Sequence, residues 1–119
     1  MSVAQSDTRL EGRQEWLMGI VFDESESTEI RQVALHWAGQ QPDFPVTRLL
    51  QLYDDMTDGE MREQVLFALS QRQDDESIDA MFQIARTEKD LELRKAAIFW
   101  ISQLDDDRVE DFLLQIIEE

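Results

Sequence analysis

The sequence predicts an all-α fold of about three stacked helix pairs behind one N-terminal capping helix, and three observations carry that expectation. The segments EIRQVALHWAGQ (29–40), EMREQVLFALSQ (60–71) and ELRKAAIFWISQ (92–103) are near copies. Their Glu-x-Arg triplets start at 29, 60 and 92, the period of a two-helix repeat. Counted from the arginine, apolar residues fall at +3, +4 and +7: Ala34, Leu35, Ala38; Val65, Leu66, Leu69; Ala97, Ile98, Ile101. That spacing is one buried stripe on a helix, and no stretch shows the period of two that marks a strand.

The first element is a helix over 8–22. Its apolar face is Trp16, Leu17, Ile20 and Val21, and it covers the open end of the stack as a half-repeat. The pairs then span 28–56, 59–87 and 90–118. Each first helix leads through a polar turn (QQPDFP, RQDDES or LDDDR) into a second apolar-periodic segment. The inward positions there are Val46, Leu49, Leu50, Tyr53; Ile78, Met81, Phe82, Ala85; and Val109, Phe112, Leu113, Ile116.

Turn chemistry marks the helix starts. Asp43, Asp75 and Asp106 stand where second helices begin and can cap their free N–H groups. Pro45 fits a first helical turn, where its missing N–H has no partner to lose. Thr57 and Glu60 have capping-box spacing, Asp58 next to Gly59 is a cap, and Asp90 serves the third pair. Trp37 and Trp100, at +6, are expected in the core and between repeats, with Ala68 as the small residue between them.

Bulk properties narrow the function. A chain of 119 residues is one domain, 1–119. With 27 acidic against 11 basic residues it carries −16, well beyond the roughly 2 to 8 units of a typical small domain. Such a field repels phosphate backbones, and no basic patch offsets it, so direct nucleic-acid binding is not expected. The absence of cysteine removes disulfides, thiol nucleophiles and iron–sulfur ligation. No apolar run is long enough for a membrane span, so the chain reads as soluble, with the cytoplasm the compartment favoured. It closes on an apolar helix, QIIEE, which either packs on another copy or marks a piece of a longer protein, the second being preferred.

The pattern Glu-(Ile/Met/Leu)-Arg, a small or β-branched residue, an aliphatic, an aromatic and a closing (Gly/Ser)-Gln resembles the first helix of bacterial HEAT repeats. These include the HEAT-like repeats of the bilin-lyase (PBS-lyase) type. The resemblance covers about 28–119. It implies antiparallel pairs stacked into a right-handed α-α superhelix, with first helices on the convex side and second helices on the concave side. Gln64 departs from the pattern at a usually small position, as do Pro42 and Pro45 in the first turn.

Candidate chemistry is sparse. Arg31, Arg62 and Arg94 fall in register with their stems directed towards the repeat junction, where a structural ladder pairing with turn acids is the expectation. His36, Phe67 and Phe99, at +5, lie about 140° from those arginines. They form either a row of rings packed between neighbouring repeats or a docking ridge. His36 is the only histidine and has no second ligand or nucleophile at helical spacing. The segment DDMTDGEMREQV (54–65) matches part of a calcium loop but fails at Met56 and Val65, positions that need oxygen ligands. Turn carboxylates share one aqueous environment, so no acid–base pair is set apart. No catalytic, cofactor-binding or metal-binding residue is assigned.

The function expected is therefore a non-catalytic interaction or scaffold module for a basic protein or peptide. Its surface candidates on the second helices are Thr47, Arg48, Gln51, Asp79, Gln83, Glu110, Asp111 and Gln115. Two alternatives remain at this stage. One is bilin-lyase-like chromophore attachment or chaperone function, which the resemblance implies; the other is an acidic DNA mimic.

Overall fold

The computed structural model describes the backbone of residues 3–118 and the side chains of 12–118. It contains α1 (Val3–Val21), α2 (Thr28–Gly39), α3 (Val46–Asp55), α4 (Gly59–Arg72), α5 (Asp75–Thr87), α6 (Leu91–Ser102) and α7 (Arg108–Glu118). No strand occurs among the described residues. The all-α expectation is met. Helix α1 begins at Val3, ahead of the residue 8 at which the sequence pattern starts it. Residues 3–11 contain no proline and several good helix formers, so nothing in that stretch stops the helix. The chain divides into two compact units, 1–44 and 45–119, the boundary falling in the turn that carries Pro42 and Pro45.

In the first unit, α1 and α2 form an antiparallel hairpin. Leu17, Met18 and Val21 of α1 are buried, as are Ala34, Leu35 and Ala38 of α2 and Phe44 beyond it. Trp16 was expected in this core but is 65% exposed. At 100° per residue it lies about 200° from Met18, so a stripe centred on Leu17, Met18 and Val21 turns it outward. The side chains at 8–11 lie outside the described residues.

The second unit builds two layers. First helices α4 and α6 lie side by side, and second helices α3 and α5 pack beneath them, with α7 closing on α6. Phe82 of α5 and Phe112 of α7 stack at 4.5 Å between ring centroids, extending the lower layer. The +3, +4 and +7 residues of α4 are all buried, and in α6 only Ile98 is half-buried. Helix α5 meets α3, α4 and α6, so its buried arc widens to include Ile84 beyond the expected four residues. Leu52 of α3 is likewise buried. Leu113 and Ile116, expected inward on α7, are only half-buried because α7 packs mainly on one neighbour.

The caps correct several expectations. Asp58, not Thr57, caps α4, accepting the Glu60 N–H at 2.9 Å. Asp90 accepts the Glu92 and Leu93 N–H groups at 3.0 and 3.1 Å, and Asp106 accepts the Arg108 N–H at 2.8 Å. Ser27 caps α2 through the Ile30 N–H. Asp43 instead accepts the Gln14 side-chain amide at 3.0 Å. Pro45 is the N-cap of α3 rather than a residue of its first turn. Asp74 holds the N-cap position of α5, which places Asp75 one residue inside the helix. Helix α4 ends on Gln73 in the left-handed region, φ 56°, a conformation that favours glycine.

Candidate functional site

The three register arginines share one geometry. Arg31 Nε donates to the Val21 carbonyl at 2.8 Å, Arg62 Nε to Met56 at 2.7 Å and Arg94 Nε to Ala85 at 3.0 Å. Each acceptor lies within the last turn of the preceding helix or just beyond it, where the last carbonyls lack intrahelical donors and the helix dipole is negative. A guanidinium there satisfies an orphan acceptor and a partial charge together. The partner shared by all three is thus main chain, where the sequence pointed to turn acids. The Arg62 guanidinium also stands 3.6 Å from the Glu88 carboxylate.

Around that contact lies a polar knot. The Tyr53 hydroxyl donates to Glu88 Oε1 at 2.5 Å, the Asp90 N–H donates to Oε2 at 2.9 Å, and the Arg62 guanidinium stands 5.0 Å from the Tyr53 ring centroid. Burial, then the Glu88 bond and charge, push the Tyr53 hydroxyl well above the ordinary tyrosine range. For Glu88, burial raises the carboxyl, but the Tyr53 hydroxyl, the Asp90 N–H and Arg62 outweigh it and hold the group below the usual glutamate value. The phenol is a fixed donor and the carboxylate a fixed acceptor. Such a pair locks α3 to the α5–α6 turn and has no proton to exchange near neutral pH.

A second cluster lies on α5 and α7. Arg108 reaches Asp79 at 2.6 Å, Asp106 at 3.1 Å and Asp75 at 3.7 Å, and its guanidinium stands 5.5 Å from the Phe82 ring centroid. Arg86 covers the Phe112 ring at 5.0 Å. Hydrogen bonds from the Arg108 side chain and N–H hold Asp106 below the ordinary aspartate range. This part of the second-helix surface is acidic, lies over the buried Phe82 and Phe112 rings, and already accommodates one guanidinium.

Of the second-helix candidates, Thr47, Gln51, Asp79, Gln83, Glu110, Asp111 and Gln115 are exposed, while Arg48 is half-buried. At +5, His36 and Phe67 are half-buried and Phe99 is 54% exposed. Phe67 and Phe99 each meet Trp100 edge-on at 5.2 Å, so that indole sits between the two rings. Trp100 is half-buried as a packing residue, but Trp37, expected in the core, is 58% exposed. The +6 position lies more than about 100° from the centre of the +3, +4, +7 stripe, beyond its usual width. Residues Arg13, Trp16, Leu17, Trp37 and Gln41 line an open groove of about 480 Å³ in the first unit. The sequence had placed both tryptophans inward and so concealed it.

Among the described residues no three His, Cys, Asp or Glu side chains gather to hold a metal ion, and no helix is long and apolar enough to cross a membrane. Segment 54–65 is the end of α3, a turn and the start of α4.

Antiparallel helix pairs layered on one another, with a recurrent arginine tied to the preceding helix, define a helical-repeat protein. A family model described as HEAT repeats matches residues 46–119, more than half of the chain. The chain belongs to the HEAT-repeat family. The match begins at α3, whereas the resemblance in the sequence starts at residue 28 with EIRQVALHWAGQ. Comparison with curated proteins and with solved structures gave no match.

Proposed function

We propose that this chain is a non-catalytic interaction module whose second-helix surface in residues 45–119 receives a basic protein or peptide. HEAT repeats generally mediate protein–protein interaction or scaffolding. The observation that carries the basic partner is the Arg108 cluster. On this surface a guanidinium lies within 4 Å of Asp75, Asp79 and Asp106 and above the Phe82 ring. Exposed Glu110 and Asp111 extend the same charge along α7. Arginine recognition by carboxylates and an aromatic face combines charge-assisted hydrogen bonds with cation–π attraction. The net charge of −16 adds long-range steering of a cationic partner.

The test is binding of a synthetic arginine-rich peptide to the wild-type chain and to a variant with Gln51, Asp79, Gln83 and Glu110 all changed to Ala. Affinity falls at least tenfold in the variant and falls again as salt is raised. Equal binding by the two proteins rejects the surface.

A further inference from the structure

The groove at Trp16 and Trp37 and the outer side of α7 are two unpartnered surfaces of opposite character. In the groove two exposed indoles flank buried Leu17, and Arg13 stands at the edge. No described residue forms an ion pair with Arg13, in a chain with 27 acidic residues. On α7, Leu114 and Ile117 are 51% and 78% exposed, and exposed Glu118 follows directly. Leu114 and Ile117 are spaced i, i+3, so they project from one side of the helix as a pair of apolar knobs. The groove, about 480 Å³, has room for the ends of two aliphatic side chains.

We infer that the groove takes α7 of a second copy of this chain. Leu114 and Ile117 enter between the indoles, and Glu118 meets Arg13. An aromatic-walled groove is a usual receiver of the apolar side of an amphipathic helix. The charges match in sign at the rim, where the free groove offers a cation and the free helix an anion. Because the two surfaces differ, the contact is heterologous: each copy offers one groove and one helix. The overall −16 opposes it at long range, which keeps the contact weak at low ionic strength.

The experiment is sedimentation of the full chain at concentrations up to about 1 mM in roughly 0.15 M salt, where screening acts over about 8 Å. Wild type shows a mass that rises with concentration above that of the monomer. Trp37→Ala and Ile117→Asp, both at exposed positions and checked for folding by circular dichroism, each stay monomeric. Mixed in equal amounts, they form a 1:1 dimer and nothing larger, because one intact groove meets one intact helix. Arg13→Glu and Glu118→Arg each weaken association at least tenfold, and the chain carrying both recovers it. A wild type that is monomeric throughout, a single variant that associates as wild type does, or a mixture that stays monomeric overturns the inference.

Discussion

Removing one oxygen tests the knot at the α3, α4 and α5–α6 junction. Tyr53→Phe keeps the buried ring and its contact with Arg62 but deletes the hydroxyl that donates to Glu88 at 2.5 Å. Glu88 keeps the Asp90 N–H and Arg62 as partners, so the loss is one hydrogen bond to a charged group, about 1.5–3 kcal/mol. For a domain of this size that is roughly 5–15 °C in Tm. The pH dependence has a defined sign. Glu88 is held below its ordinary value of 4.5, so its contribution is present above that value and is lost as pH falls through the lower folded value. Tyr53 is held above its ordinary value of 10.0, so its contribution is complete below 10 and is lost only when pH rises through the higher folded value. The gap between wild type and Tyr53→Phe, measured by urea unfolding followed by circular dichroism, is therefore flat from about pH 6 to pH 9 and narrows on acidification through the carboxylate range. A variant within about 0.5 kcal/mol of wild type at pH 7 refutes the reasoning, since that is the scatter of an ordinary surface change. A gap that does not narrow in acid refutes the role given to Glu88.

Three further perturbations read other parts of the structure. Gln73→Gly relieves the left-handed C-terminus of α4 and raises stability by about 0.5–1 kcal/mol in thermal or urea unfolding. Ser77 is fully buried in the first turn of α5, and its hydroxyl has no hydrogen-bond partner among the described residues; Ser77→Ala stabilises by about 1 kcal/mol, read as a higher urea midpoint with unchanged slope. Arg94→Met keeps an apolar stem but strands the Ala85 carbonyl, which lowers stability by about 1–2 kcal/mol, and Arg94→Lys recovers only part of it because a lysine lacks the planar fork.

Legibility in the sequence followed the strength of the periodic signal. The +3, +4, +7 stripe was visible because a helix packed on one side must repeat at 3.6 residues, and Val65, Leu66 and Leu69 are buried as it requires. Trp16 and Trp37 are large and apolar but stand outward. Trp37 and Trp16 lie off their helices' buried stripes, and their angular positions were the signal available. The arginine register was legible, but its acceptor was not: a main-chain carbonyl at the end of another helix leaves no mark in side-chain spacing. Asp43 and Asp75 had the right residue type at nearly the right place for caps. A one-residue shift in the helix start gave α5 to Asp74, and in the first turn Pro45 took the N-cap while Asp43 bonds Gln14. The role of Glu88 leaves no mark in the sequence because its partners, Tyr53 and Arg62, stand 35 and 26 positions away.

The central claim is that the second-helix surface is where a basic partner binds, and amide chemical-shift mapping tests it most directly. The isotope-labelled chain is titrated with a short arginine-rich peptide. Shifts confined to Gln51, Asp79, Gln83, Glu110, Asp111 and Gln115 and their neighbours on α3, α5 and α7 are the predicted result. Shifts spread over the acidic turns, or centred on the first helices α4 and α6, contradict it.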